Sequence, residues 1–414
     1  MYIRNVRFLD GRRRDIFSVS EGEDIDGYDF LAIPAVIDGH VHFRTPGYEY
    51  KENWETGAAA AIYGGVTKVL DMPDTKPFLD TFLVGKSKEE IVQKQLKAVD
   101  IPLEFRFYLG AVGNNLFEIE SLPEHKDLFC GVKVCMDAST DSPIGQVNLK
   151  AVFRAAAEAE IVVAVHAEDE LILRRAAADT ALSSYWSPAT HSLLRPPEAA
   201  FRAVAEVLDL AAKYGTKIYI LHVSTEKEIE LIENAKRSGV TIFAEAALPH
   251  LFFDIRDYIG LGNRAKVNPP LRNPGDREAL WEALKNGIVD TVGSSHGPHL
   301  QEEKNAERES LAGMPGIQFL LPLLANAVSQ AKIDYETLVK LTSGNITSIF
   351  AFSPTEDWTL IKEDLEKIVT ENEILSKCGW SPYVGKCLVG WPIYTILKKR
   401  LYRSGGWNEY INRR

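Results

Sequence analysis

"KIYILHVSTEKEIELIENAKRSGVTIFAEAAL", residues 217–248, decides the fold. It opens on an apolar, β-branched run, crosses the charged amphipathic segment "EKEIELIENAKRSG", and returns to a second apolar run, "VTIFAEAAL". Short apolar runs of this kind are buried strands, and the segment between them has the character of a helix that stops at a glycine. Strand, helix and strand in that order make a parallel pair with a helical crossover.

The same unit recurs on both sides. Upstream runs are "AIPAVIDGHVHF", "VTKVLDMPD", "EFRFYLGAV", "GVKVCMDAS" and "EIVVAVHAED", and downstream comes "IVDTVGSSH". Between them lie "ETGAAAAIYGG", "KEEIVQKQLKAV", "LKAVFRAAAEAE", "PPEAAFRAVAEVLDLAAKYG" and "DREALWEALKNG", with the third helix falling around "NNLFEIESLP". Eight strands, each followed by a helical segment, predict an α/β fold, a (β/α)8 TIM barrel over residues 34–351. The two ends, 1–33 and 352–414, read as short strands and turns that pair into one small β domain, a shortened β-sandwich beside the barrel.

Composition narrows the class. The 414 residues are 45% hydrophobic and 25% charged, with a formal charge of −11. This argues against nucleic acid or an anionic membrane surface as partner. The longest apolar run, "IQFLLPLLANAV", is too short to span a bilayer. Cys130, Cys135, Cys378 and Cys387 fit neither a disulfide framework nor a zinc ribbon, so buried thiols in a reducing cytoplasm are expected.

In such a barrel, polar residues at strand C-terminal ends point into the active site. In "DGHVHFR", His40, His42 and Arg44 alternate and project from one side of an extended chain. Two imidazoles on one face can bind a metal ion, or be a pair of satisfied polar residues under a loop. Further strands end in His166 and His222, and "GVKVCM" places Lys133 inside an apolar strand. A buried lysine is costly unless paired or neutralised. It can snorkel, meet a carboxylate, or react with carbon dioxide to give an anionic carbamate that bridges two ions. Four histidines and a lysine on four strands fit a binuclear site.

These residues sit in a sequence that resembles the amidohydrolase superfamily, and within it the dihydroorotases. "IDGHVHFRTPGYEYKENWETGAAAAIYGGVTKVLDMPDTKP" is similar to their signature, and "CGVKVCMDAST", "VAVHAEDE", "ILHVSTEKE", "KVNPPLRNPGDREALWEAL" and "SKCGWSPYVGKCLVGWP" follow the family blocks in order. The resemblance implies two zinc ions per subunit. His40 and His42 would hold one, His166 and His222 the other, and carbamylated Lys133 would bridge them. It further implies that Arg44 grips a substrate carboxylate, with Asn268, His299 and the residue at position 74 lining the pocket. The family reaction is the reversible hydrolysis of dihydroorotate to N-carbamoyl-aspartate in pyrimidine biosynthesis. Metal-activated water attacks the ring amide, and an aspartate at the eighth strand shuttles the proton.

The chain departs from that pattern in "TVGSSHGPH", residues 291–299, where Ser295 replaces the family's proton-shuttling aspartate. Asp74 in "DMPDT" replaces an asparagine, Asp137 stands where glycine is usual, and the segment after residue 351 is short. Three readings follow: a dihydroorotase with impaired turnover, an inactive homologue serving as a structural partner of an enzyme such as aspartate transcarbamoylase, or a hydrolase of another cyclic amide such as hydantoin or allantoin. A homodimer is the expected assembly.

Overall fold

The computed structural model describes residues 1–113, 115–137, 147–178 and 187–404. Eight parallel strands run in sequence order around a barrel: Val36–Val41, Val66–Asp71, Glu104–Gly110, Phe129–Cys135, Val162–His166, Lys217–Ile220, Ile242–Ala247 and Thr291–Gly293. The eighth strand returns to the first, where the His42 amide donates to the His296 carbonyl at 2.9 Å.

Alternation along each strand sorts side chains to two layers. Ile37, Leu70, Tyr108, Ala164 and Tyr219 pack inside the barrel, together with Ile346, Phe350 and Phe352 from the segment after the last crossover. Their strand neighbours Val36, Val69, Phe107, Val163 and Ile218 face outward to the helices. Burying this apolar surface is the main favourable term holding the barrel closed.

The helices form where the sequence supplies both stripe and caps. Glu226–Arg237 starts with Thr225, whose hydroxyl accepts from the Glu228 amide while the Glu228 carboxylate accepts from the Thr225 amide. Pro197–Tyr214 begins on proline and ends at Gly215 in the left-handed conformation, φ 74°. The third crossover is the exception, a five-residue helix, Leu116–Glu120, followed by a 3-10 turn at Leu122–His125.

Both chain ends enter one seven-stranded sheet beside the barrel. Tyr2–Phe8, Arg13–Phe17, Ile25–Asp26 and Leu31–Pro34 come from the start, and Trp358–Ile368, Cys387–Leu397 and Arg400–Arg403 from the end. Leu31–Pro34 pairs antiparallel with Trp358–Ile368 and leads directly into the first barrel strand. All four cysteines are free, but only Cys378 is buried, whereas Cys130 and Cys135 are half-buried and Cys387 is exposed at the start of Cys387–Leu397. The expectation of four buried thiols holds only at Cys378; it is corrected most plainly at Cys387, whose thiol sits at the surface donating to Glu366. No helix among the described residues is long and apolar enough to cross a membrane.

Candidate active site

The C-terminal ends of the barrel strands surround a cavity of about 130 Å³. His40, His42, Arg44, Asp74, Lys133, His166, His222, Asn268, Ser295 and His299 all line it. Ten of the residues singled out in the sequence therefore converge on one space, whereas Asp137 is absent from its lining. The imidazoles cluster tightly, with ring centres 5.3 Å apart for His40 and His42, 5.4 Å for His40 and His222, and 4.7 Å for His166 and His222.

Backbone conformation helps to aim these side chains. Arg44, His222 and Ser295 adopt positive φ values of 61°, 41° and 49°. Non-glycine residues rarely do so, at a cost of about 1–3 kcal/mol each, and such strain concentrates at functional sites.

Three of the four histidines are held by a carboxylate behind them. His40 Nδ1 donates to Glu245 Oε1 at 2.8 Å, and His42 Nδ1 to Asp74 Oδ1 at 2.7 Å. His166 Nε2 donates to Glu168 Oε2 at 3.0 Å and lies 3.4 Å from Asp137 Oδ1. Each bond fixes the tautomer and leaves the opposite ring nitrogen with a lone pair, the arrangement that supports metal-bound imidazole. His166 Nδ1 and His222 Nε2 lie 3.0 Å apart. Two ligands on one tetrahedral zinc sit about 3.3 Å apart, so this spacing suits a shared ion. Burial pushes His42 down to about 4, against the pull of Asp74, and drives His222 well below its ordinary value. Both rings are thus neutral near pH 7, as ligands must be.

The Lys133 amine makes no hydrogen bond with the described residues. Desolvation lowers its pKa, opposed by the negative charge of groups that include Asp74, Glu245 and Asp137. The donor set and the poorly solvated amine fit a carboxylated lysine between two ions. Among the described residues, a further group able to hold a metal combines Cys135, Asp137 and His166.

Arg44 is engaged within the site. Its Nη1 donates to Asp74 Oδ2 at 2.8 Å, and its Nη2 lies 3.2 Å from His299 Nε2. Burial raises the Asp74 pKa, but the charges and hydrogen bonds of His42 and Arg44 outweigh it and hold the carboxyl well below its usual range. Desolvation, with Arg44 and Lys51 nearby, pushes His299 down to about 3. His191 fixes the Asn268 amide through a 2.9 Å contact to Oδ1. Ser295 is half-buried at the cavity edge, and its hydroxyl makes no hydrogen bond with the described residues.

Several supporting residues were not singled out in the sequence. Glu245 binds both His40 and the Tyr219 hydroxyl, the latter at 2.9 Å. Glu168 and Arg195 form a buried ion pair that also takes in Asp137, the residue already noted in the sequence. Gly293 leaves room for Glu245, since a Cβ there would fall 2.7 Å from Glu245 Oε2. The signals were a charge within "TIFAEAAL", a glutamate two residues past His166, and the arginine of "LLRPPE".

Comparison with known proteins agrees with this geometry. The model of the amidohydrolase family matches residues 31–354. A dihydroorotase of Halobacterium salinarum is 32% identical, with the alignment covering 96% of this chain and 94% of that protein. A dihydroorotase of Bacillus subtilis is also 32% identical, covering 92% and 89%. Among solved structures, an L-hydantoinase (dihydropyrimidinase) from Arthrobacter aurescens superposes with a TM-score of 0.89 at 26% identity, over 97% of this chain and 95% of that one. With barrel, strand-end histidines and family model in agreement, this chain belongs to the amidohydrolase family of hydrolases.

Proposed function

We propose that this chain is a metal-dependent hydrolase of a small cyclic amide, of the dihydroorotase type, with turnover slowed by Ser295. The observation that carries the reading is the convergence of four histidines and Lys133 on one cavity, with carboxylates behind three of the rings. His40 and His42 would hold one divalent ion, His166 and His222 a second, and Lys133, as its carbamate, would join them. Zinc suits imidazole ligands of this kind. Bound there, the ions would supply Lewis-acid activation of the ring carbonyl and of water.

The chain's own residues orient and restrict. Glu245, Asp74 and Glu168 set the histidine tautomers. Asn268, steadied by His191, and His299 bound the space open to the ring. Proton transfer is the weak step. The Ser295 hydroxyl cannot take up a proton near pH 7. Asp74 is committed to His42 and Arg44, while Asp137 is turned to Arg195. Neither carboxylate is placed to serve in its stead. Loss of a general acid–base group costs roughly 10²–10⁴-fold in rate.

The deciding experiment combines metal analysis with ring-opening assays on dihydroorotate and dihydrouracil, for the wild type beside Ser295→Asp. Stoichiometric metal and slow wild-type turnover, accelerated in the variant, support the reading. Metal-free protein after zinc reconstitution, with no ring opened by either form, overturns it.

A further inference from the structure

The cavity lining contains one guanidinium, Arg44, the desolvated Lys133 amine and one carboxylate, Asp74. That carboxylate is docked on the guanidinium: Asp74 Oδ2 accepts from Arg44 Nη1 at 2.8 Å, in a pair whose side chains are only 5% and 12% exposed. The other terminal nitrogen of the fork faces His299 Nε2 at 3.2 Å. An incoming carboxylate would therefore meet a guanidinium already paired with an internal anion. Swinging Asp74 aside is costly, because the same group accepts from His42 Nδ1 at 2.7 and 2.8 Å. Releasing it would strand a buried donor and a buried charge together. Leaving it in place would set two carboxylates side by side in a poorly solvated space. The rest of the wall includes Pro73, Val267, Leu311, Ala312 and Gly313, none of which carries a side-chain charge to balance a second carboxylate.

We propose that Asp74 determines specificity by standing where a substrate carboxylate would pair with Arg44, so that the pocket selects uncharged cyclic ureides or imides over rings bearing a carboxylate. This rests on the cyclic-amide hydrolase reading above and departs from its dihydroorotase type, whose ring bears a carboxylate, by assigning the pocket to uncharged rings.

Equilibrium binding separates the two claims. Calorimetric titration of the metal-loaded chain with dihydrouracil and with dihydroorotate compares the same ring without and with a carboxylate. The wild type is expected to bind dihydrouracil more tightly by roughly tenfold or more, the ratio that one charged hydrogen bond commands. Asp74→Asn should shift that ratio towards dihydroorotate by a similar factor, and Asp74→Glu, which keeps the charge, should preserve the wild-type preference. Dihydroorotate bound as tightly as dihydrouracil by the wild type overturns the inference, even if both rings are hydrolysed. A preference for dihydrouracil without any turnover upholds it and removes the hydrolytic reading instead. Binding of neither ring overturns both.

Discussion

A serine hydroxyl and an aspartate carboxylate differ by many orders of magnitude in basicity, and residue 295 stands at the end of the eighth strand where that difference matters. Ser295→Asp is expected to raise ring hydrolysis by roughly 10²-fold or more, read as kcat in a steady-state assay; an unchanged kcat would show that proton transfer does not limit this enzyme. Lys133→Ala removes the proposed bridge, and metal content after zinc loading and desalting should fall below half of the wild-type value by elemental analysis. Many of these residues were legible in the sequence because chemistry-bearing side chains interrupt apolar strands at their C-terminal ends, as His166 and His222 do. Their supports were harder to see. Glu245 lies 205 residues from the His40 it orients, and no local pattern joins them. The Asp74–Arg44 pair likewise has no local signature, since its geometry depends on how two strand ends converge.

Individual elements carry their own tests. The eighth strand has three residues, and its Gly293 packs against Glu245 and His40, so Gly293→Ala forces a carboxylate and a histidine to move. The expected result is a weaker metal site, measured as a lower chelator concentration for half-removal of the ions. The helix Glu226–Arg237 depends on its capping box, and Thr225→Ala should cost about 1 kcal/mol in urea unfolding. Periodicity and glycine stops made the long helices readable. The third crossover was less so, because Pro123 interrupts the pattern after Ser121 and the chain turns through a 3-10 segment instead of continuing the helix.

At the scale of the molecule, the segment between the last long strands reaches back to the loops that follow the first and eighth barrel strands. Buried Glu52 accepts from the Ser376 hydroxyl, from the Lys377 amide at 3.3 Å and from His296 Nε2 at 3.3 Å. Trp380 Nε1 donates to the His299 carbonyl at 2.8 Å. Glu52→Ala leaves these buried donors unmet, and a loss of about 2–4 kcal/mol is expected, seen as a lower thermal midpoint with earlier proteolysis near residue 376. Pairing of the chain ends was foreseeable from short strands at both termini. The clasp on these loops was not, since its partners lie more than 300 residues apart in the case of Glu52 and Ser376.

The shared sheet also sets an order of manufacture. Leu31–Pro34 leaves the ribosome early, but its antiparallel partner, Trp358–Ile368, emerges only after every barrel strand has been made. Domains fold as units during synthesis, with N-terminal parts first. The nascent barrel must therefore hold an exposed strand edge until the end, and the bonds from Ser376 and Lys377 to Glu52 and from Trp380 to the His299 carbonyl close last.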